Sequence, residues 1–235
     1  MGRPKIYNCV LDTETCPLNR NFTQVFPQNM WVYDIGWTIS DRLGNIIRTR
    51  SFIVKEIYYF EPEAMESAYY AWKCNMYDFD IIKGDRIITT LYVIRDTLLS
   101  DLQEFGIKRI YAHNARFDYG ALNNTIRWIT KSKYRYFLPQ WVEIWDTLKM
   151  SRTVLTDMPS YIRFCKKNGY ITKNNQLQLK AEVIYRFITK KEEFAECHTG
   201  LEDTFVETEI LIYCLKHNSK VDGRLFNGHE EKYIK

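Results

Sequence analysis

The stretch Ile6-Tyr-Asn-Cys-Val-Leu-Asp-Thr-Glu-Thr15 places two carboxylates, Asp12 and Glu14, directly after an apolar run. The residues from Ile6 to Leu11 favour extended backbone and predict a strand inside the core. Side chains two positions apart on a strand share a face, so the two acids lie side by side. A single pair of this kind also arises by chance, so it indicates a functional site only if further acids lie at the ends of neighbouring elements.

The pattern after this strand predicts further strands and helices. β-Branched and aromatic runs at 31–40 and 46–54, joined by the turn sequence Asp-Arg-Leu-Gly-Asn, predict an antiparallel meander. Apolar residues spaced three to four apart predict an amphipathic helix over 87–105. Two later short strands alternate with helices, which is typical of an α/β domain. We predict a mixed, five-stranded sheet flanked by helices in one domain at 1–217, followed by a polar C-terminal tail at 218–235.

Four other segments complete the predicted elements. Residues 61–77 mix acids with Ala, Met, Trp and Tyr and predict a helix, whereas a turn signature within 164–175 predicts a turn or short hairpin. Helices are predicted over 177–190 and 201–217.

Composition bounds the class of protein. A chain of 235 residues with 46% hydrophobic residues can form one substantial core, and its net charge of +4 permits nucleic-acid binding without requiring it. No run of about 18 apolar residues is present, so no membrane span is expected. The six cysteines form no Cys-x-x-Cys pair, which argues against a zinc knuckle and a disulfide framework. The N-terminus also lacks the apolar core of a signal peptide, so we expect a cytoplasmic protein. The abundance of Lys, Asn, Ile and Tyr is typical of an AT-rich genome, and if that genome is viral, the expected location is the host cytoplasm.

Two further motifs place acids next to other predicted elements. His113-Asn-Ala-Arg-Phe-Asp118 follows a strand and opens a helix, and His198-Thr-Gly-Leu-Glu-Asp203 opens the last helix. Each has an ordinary alternative, because helix caps and first helical turns often carry solvated acids. Carboxylates that converge from separate elements would instead need cations, and their oxygen atoms suit Mg²⁺ or Mn²⁺.

Taken together, the three motifs resemble the DEDDh family of 3′ to 5′ exonucleases, which includes the proofreading subunit of the bacterial replicative polymerase and ribonuclease T. The family's Asp-x-Glu followed by Thr is matched by Asp12, Glu14 and Thr15, and its His-Asn-Ala-x-Phe-Asp motif is matched in full at 113–118. The third motif has Gly200 where the family usually has Ala, a change that leaves the chemistry of the motif intact. The resemblance covers nearly the whole chain and implies a ribonuclease H-like fold.

The resemblance also implies a role for each matching residue. Asp12 would bridge two divalent metal ions, Mg²⁺ or Mn²⁺, about 4 Å apart on either side of the scissile phosphate. Glu14 and Asp203 would hold the ion that carries the attacking water. Asp118 would help to hold the other ion. His198 would act as the general base, a task suited to imidazole near neutral pH.

Substrate contacts follow from the same resemblance. The backbone at Thr15 would meet the terminal 3′-OH, and the side chain of Leu18 would wedge against the last base. Ordinary packing behind Pro17 is the alternative for Leu18. Asn114 would orient the local backbone or the substrate.

Several nearby charged residues are left out of the predicted site. Asp146 matches a family position that is not a ligand, and Glu202 lies about 100° round the helix from Asp203. The basic segments at 131–137 and 166–173 could guide a single strand to the site or form solvated surface.

The predicted reaction is hydrolysis of the terminal phosphodiester of single-stranded nucleic acid, with DNA favoured, to nucleoside 5′-monophosphates. The alternatives are an RNA exonuclease of the oligoribonuclease or ribonuclease T type, a non-catalytic nucleic-acid or polymerase-binding module, and an endonuclease on the same fold. The expected partners are the 3′ ends of single-stranded DNA or RNA, with a polymerase subunit as a further candidate and no membrane.

Overall fold

A computed structural model describes residues 5–18, 29–68 and 71–226 of the chain. Within these ranges a mixed sheet of six strands forms the centre of the molecule. The strands are β1 (Tyr7–Pro17), β2 (Met30–Asp41), β3 (Ile46–Val54), β4 (Ile87–Thr89), β5 (Arg109–Ala112) and β6 (Glu143–Asp146). They lie in the order β4-β3-β2-β1-β5-β6, so β1 is central, with antiparallel β2 on one side and parallel β5 on the other.

The structure has one strand more than the five predicted. The additional strand, β4, occupies the beginning of the segment predicted as a helix over 87–105, and it pairs in parallel with the end of β3. Its three residues, Ile-Ile-Thr, are all β-branched and therefore favour extended backbone. The amphipathic helix begins only after Thr90, whose hydroxyl accepts a hydrogen bond from the backbone N–H of Val93 as an N-cap.

Nine helices of the described residues cover the two faces of the sheet. They are α1 (Lys55–Tyr58), α2 (Pro62–Glu66), α3 (Cys74–Lys83), α4 (Leu91–Glu104), α5 (Ala115–Thr130), α6 (Thr147–Leu155), α7 (Pro159–Asn168), α8 (Ala181–Thr189) and α9 (Gly200–His217). None of them is long and apolar enough to cross a membrane.

Two of the predicted segments are organised differently. The single helix expected over 61–77 is divided into α2, a 3-10 turn at Ala71–Lys73 and the beginning of α3. The turn or hairpin expected over 164–175 is preceded by α7, which continues to Asn168 and ends at Gly169 in the left-handed conformation. A single antiparallel bridge between Ile171 and Leu177 is the part of the hairpin that forms.

Apolar side chains pack on both faces of β1. Cys9 and Leu11 belong to the larger core, beneath α4 and α5, whereas Val10 belongs to a second core formed with α6, α7, α8 and α9. Since side chains alternate along a strand, Asp12 and Glu14 continue the face of Val10 toward α9. The sheet thus directs both acids to one side of its central strand.

The first part of the segment predicted as a C-terminal tail contacts the sheet. Val221 is buried, the carbonyl of Gly223 accepts the Asp146 N–H at 2.6 Å, and the Leu225 N–H donates to the carbonyl of Ile144 at 2.9 Å. Residues 227–235 lie outside the described residues, and the division of the chain at 217 stays a prediction.

Candidate metal centre

Asp12 and Glu14 lie in the second half of β1, where the strand leaves the apolar core. Asp12 is half-buried and Glu14 is 9% exposed. Across the antiparallel ladder they are opposite Gly36 and Asp34 of β2, and the register shifts directly after Glu14. The pairing with β2 therefore holds both acids in extended backbone, which fixes their spacing.

Asp118 reaches β1 from the first turn of α5. Its carboxylate is buried and accepts a hydrogen bond from the Thr13 hydroxyl at 2.8 Å. The helix begins at Ala115, only three residues after β5 ends, and Asn114 makes the sharp turn between them with a φ of 68°. The short β5–α5 connection thus carries the second motif directly to the end of the central strand.

Asp203 and His198 come from the start of α9. The backbone N–H of His198 donates to Asp203 Oδ1 at 3.2 Å, and His198 Nδ1 lies 3.9 Å from Asp203 Oδ2. Potential ligand atoms of Glu14, His198 and Asp203 all lie within 4.8 Å of one another. The first and third motifs are therefore neighbours in space, although they lie far apart in the sequence.

The electrostatics of the cluster are those of carboxylates crowded together. Burial raises the pKa of Asp12 well above its ordinary value, and the charges of Glu207, Asp118 and Glu14 raise it further. Burial, followed by the charges of Asp34 and Asp203, raises the pKa of Glu14 to about 9.

Asp118 and Asp203 show the same effect to a smaller extent. Burial raises the pKa of Asp118 to about 7, against the hydrogen bond from Thr13, and burial and the charge of Glu196 raise that of Asp203 to about 7. A divalent cation would favour the ionised form of all four acids, and an all-oxygen donor set of this kind fits Mg²⁺ or Mn²⁺.

Glu207 is a fifth acid of the cluster, which the sequence interpretation missed. It is 4% exposed, lies one helical turn after Asp203 on α9, and accepts the backbone N–H of His113 at 3.1 Å. Burial raises its pKa well above the ordinary value, and the charge of Asp118 adds to this. The i to i+4 spacing from Asp203 is the sequence signal that could have found it, since such residues share a helix face.

Two other charged residues next to His198 were also missed. Glu196 Oε2 lies 3.8 Å from His198 Nδ1, and burial raises the pKa of Glu196 to about 7. Lys73 is 4% exposed, and its ammonium donates to the main-chain carbonyl of His198 at 3.0 Å.

A buried ion pair supports the start of α9. Asp34 is fully buried; its carboxylate accepts the backbone N–H of Gly200 at 3.0 Å and lies 3.1 Å from the Arg86 guanidinium. Arg86 also contacts Glu202 at 2.8 Å. These contacts tie the first turn of α9 to β2 beside Glu14.

Gly200 lies where the helix and the strand come closest. A Cβ atom on Gly200 would lie 2.8 Å from the backbone nitrogen of Gly36, and one on Gly36 would lie 2.3 Å from that of Leu201. An alanine in place of Gly200 would therefore not fit, because this approach of α9 to β2 leaves no room for a methyl group.

The residues left out of the predicted site have structural partners. Asp146 caps α6 through the N–H of Leu148 at 2.9 Å and accepts the Asn114 N–H at 3.0 Å. Glu202 pairs with Arg86 and accepts a hydrogen bond from the Thr199 hydroxyl.

The predicted substrate-binding residues have different settings. Asn114 is exposed, whereas Leu18 is half-buried and packs against the larger core. Thr15 is half-buried on β1 after the register shift. In the segment 131–137, Phe137 is fully buried and anchors the loop, while Tyr134 is 66% exposed. The contacts of these residues with a substrate stay predictions.

An open cleft of about 1140 Å³ begins beside Asn114. It runs between α6 and the segment 172–180. Two cationic side chains, Arg152 and Lys180, line it together with the polar side chains of Gln176 and Gln178. Lining of this kind, open to solvent and partly cationic, suits an extended, negatively charged chain.

Known structures share the fold of this chain. Exonuclease I of E. coli in complex with a 5cy-dT13 oligonucleotide is 13% identical, with a TM-score of 0.52 over 92% of this chain and 41% of that one. Exonuclease I of Methylocaldum szegediense is 12% identical, with a TM-score of 0.50 over 92% of this chain and 41% of that one. The zinc-bound form of the E. coli enzyme with single-stranded DNA is 12% identical, with a TM-score of 0.50 over 92% and 42% of the two chains.

No family profile matches this sequence, and no curated protein matches it. The chain spans about two fifths of the length of the exonuclease I chains, which cover nearly all of it in return. What the chain shares with them is the ribonuclease H-like fold, a mixed sheet flanked by helices.

Proposed function

We propose that this chain is a divalent-metal-dependent 3′ to 5′ exonuclease that acts on single-stranded nucleic acid, with DNA favoured, and releases nucleoside 5′-monophosphates. The observation that carries this proposal is the convergence of four acids from three separate elements at the end of β1, with an imidazole beside them. They are Asp12, Glu14, Asp118, Asp203 and His198. Carboxylates that raise one another's pKa destabilise the folded protein when they are ionised, so their presence together supports a functional role.

The four acids are the proposed ligands of two ions, Mg²⁺ or Mn²⁺, with Asp12 shared between them. Such ions would supply an activated water and a positive charge at the leaving oxygen. Asp118 comes from α5 and accepts a hydrogen bond from Thr13, whereas Glu14 and Asp203 lie together at the contact of β1 with α9. Two groups of acids from different elements would suit a pair of ions.

His198 is the proposed general base. Its backbone N–H is fixed by Asp203, and its side chain is 36% exposed, so the ring can reach a substrate-bound water from the solvent side. Burial and the charge of Lys73 lower the pKa of its imidazole. The ring is therefore mainly neutral at pH 7, which is the protonation state in which an imidazole can accept a proton.

The cleft beside Asn114 is the proposed path of the strand behind its 3′ end. Arg152 and Lys180 would bind phosphates there without reading the bases. The complexes of exonuclease I with single-stranded DNA support DNA as the substrate of a protein with this fold. A polymerase subunit as partner and a cytoplasmic location remain predictions.

The proposal is tested by digestion of matched single-stranded DNA and RNA oligonucleotides labelled at the 5′ end, with Mg²⁺, with Mn²⁺ and with chelator. We expect a ladder that shortens from the 3′ end, mononucleotide products, no product in chelator, and faster digestion of DNA. The Asp12→Asn variant should lose this activity, whereas Glu209→Gln, an exposed change on α9, should keep it.

The other classes of protein give different results. Faster digestion of RNA would indicate an RNA exonuclease, and cleavage of a circular single strand would indicate an endonuclease. Wild-type protein that binds the oligonucleotide but leaves every 3′ end intact with both metals would refute the proposal in favour of a binding module.

A further inference from the structure

Lys73 is a buried lysine beside the candidate metal centre. It ends the 3-10 turn at Ala71–Lys73 and is 4% exposed. Lysine is almost never buried to this extent unless its charge is paired. Its ammonium donates a hydrogen bond to the carbonyl oxygen of His198, at 3.0 Å.

The main chain of His198 is held from two sides. Its N–H donates to Asp203 Oδ1 at 3.2 Å, and its carbonyl accepts from Lys73. His198 has a φ of 54°, a left-handed conformation that costs a non-glycine residue of order 1–3 kcal/mol unless its surroundings enforce it. The hydrogen bond from Lys73 thus helps to fix the main chain from which the imidazole projects.

The charge of Lys73 also acts on the acids. Burial lowers the pKa of Lys73, and the charges of Glu14 and Asp203 oppose this most strongly. The charge of the lysine in turn acts to lower the pKa of both acids. The geometry agrees with this, because the ammonium binds the carbonyl of His198, and potential ligand atoms of His198, Glu14 and Asp203 lie within 4.8 Å of one another. The lysine is therefore close to where the proposed nucleophile-carrying ion would bind.

We propose that Lys73 is a positioning residue of this centre, which fixes the main chain of His198 and provides a resident positive charge for Glu14 and Asp203. This inference rests on the proposed function for its kinetic part, but its electrostatic part concerns metal binding alone. When the charge is removed, the kinetic part predicts a lower kcat, whereas the electrostatic part predicts a higher affinity for Mn²⁺. The lysine's removal would leave the imidazole less well placed, and it would remove a cation that repels an incoming divalent ion.

The decisive variant is Lys73→Met, which keeps the length of the side chain and removes its charge and its donor. With chelator-treated protein and no substrate, titration calorimetry should show Mn²⁺ bound about tenfold more tightly than by wild type, because a nearby like charge is gone. On a single-stranded oligonucleotide at saturating Mn²⁺, kcat should fall about tenfold to a hundredfold with KM unchanged, as expected for a misplaced general base.

Two further variants separate charge from structure. Lys73→Arg keeps the charge and a donor, so its Mn²⁺ affinity should stay within about threefold of wild type and part of kcat should return. Lys83→Met removes an exposed lysine of α3 and should change neither quantity.

The inference is overturned if Lys73→Met binds Mn²⁺ as tightly as wild type does or less tightly. It is also overturned if Lys73→Arg binds Mn²⁺ as tightly as Lys73→Met does. If Lys73→Met does not fold, the comparison of Lys73→Gln with Lys73→Arg decides in the same way. Wild-type protein without nuclease activity would refute the proposed function, while the Mn²⁺ titrations would still decide the role of Lys73.

Discussion

Replacement of Arg86 by Met tests whether the buried ion pair behind the acids holds the start of α9 in place. The guanidinium is 4% exposed and lies 3.1 Å from Asp34, whose side chain is fully buried. It also contacts Asp80 of α3 at 3.0 Å and Glu202 of α9 at 2.8 Å. Arg86 therefore joins β2, α3 and α9, and methionine would fill much of its volume while leaving Asp34 without a cation.

The expected loss follows from the burial of Asp34. Removal of one partner of a buried ion pair typically costs about 3–5 kcal/mol, because the other charge stays desolvated. Asp34 keeps the N–H of Gly200 as a donor and can take up a proton, so we expect about 3 kcal/mol for Arg86→Met at pH 7. Burial raises the pKa of Asp34 and Arg86 counteracts this, so the variant raises that pKa further.

The pH dependence of the loss has a definite sign. A carboxyl group whose pKa is higher in the folded than in the unfolded protein stabilises the fold at low pH, and this contribution is lost as the pH rises through the folded pKa. The deficit of Arg86→Met should therefore be smaller at pH 5 than at pH 8.

Urea unfolding followed by circular dichroism measures this loss. The double variant Asp34→Asn/Arg86→Met, which removes both charges, should recover most of it. Arg224→Met, which breaks the exposed pair with Asp222, is the control and should change the stability far less, because solvent screens the two charges. The reasoning is refuted if Arg86→Met is as stable as this control, or if the double variant is as unstable as Arg86→Met. Either result would show that the Asp34–Arg86 pair does not stabilise the fold by this amount.

Three further predictions concern the site itself. His198→Ala should lower kcat by about 10²-fold to 10⁴-fold, with imidazole added to the assay restoring part of it, as expected for a general base. Gly200→Ala should destabilise the protein by about 1–3 kcal/mol in urea, because its methyl group would lie 2.8 Å from the nitrogen of Gly36. In chelator, the free energy of unfolding should decrease as the pH rises from 5 to 9, because burial raises the pKa of Glu14 to about 9 and that of Asp203 to about 7. Added Mg²⁺ should reverse this decrease. A free energy of unfolding that does not change with pH in chelator would contradict the prediction.

The sequence predicts those parts of the molecule that local pattern controls. The alternation in β1 places Asp12 and Glu14 on one face, and the motifs place Asp118 and Asp203 at the first turns of helices, where the structure has them. Three residues, Ile87 to Thr89, are too few to show a strand period, and their β-branched side chains were absorbed into the helix pattern that follows.

The supporting contacts could not be predicted in the same way. Lys73 lies 125 residues from His198 and Arg86 lies 116 residues from Glu202, and both come from segments without a strong periodicity. A lysine or arginine in such a segment is usually solvated, so only the tertiary fold distinguishes these two from the other basic residues. Glu207 is the exception, because its spacing from Asp203 was visible in the sequence.

The charges around the cluster predict an order of metal binding. Burial and the surrounding carboxylates are the main influences on the pKa of Asp12, and all of them raise it. For Glu14 and Asp203, the positive charge of Lys73 acts in the opposite direction and lowers the pKa. An ion held by Asp12 and Asp118 therefore meets less repulsion from a resident cation than one held by Glu14 and Asp203.

Calorimetric titration of the wild-type protein with Mn²⁺ should thus show two unequal sites, and Lys73→Met should tighten the weaker one. Asp118→Asn should instead remove the tighter site, because it takes a ligand from the side away from Lys73. If Asp118→Asn spares the tighter site and Lys73→Met acts on the tighter one, then the charge of the lysine does not set the order, and the geometry of the β1–α9 contact must set it instead.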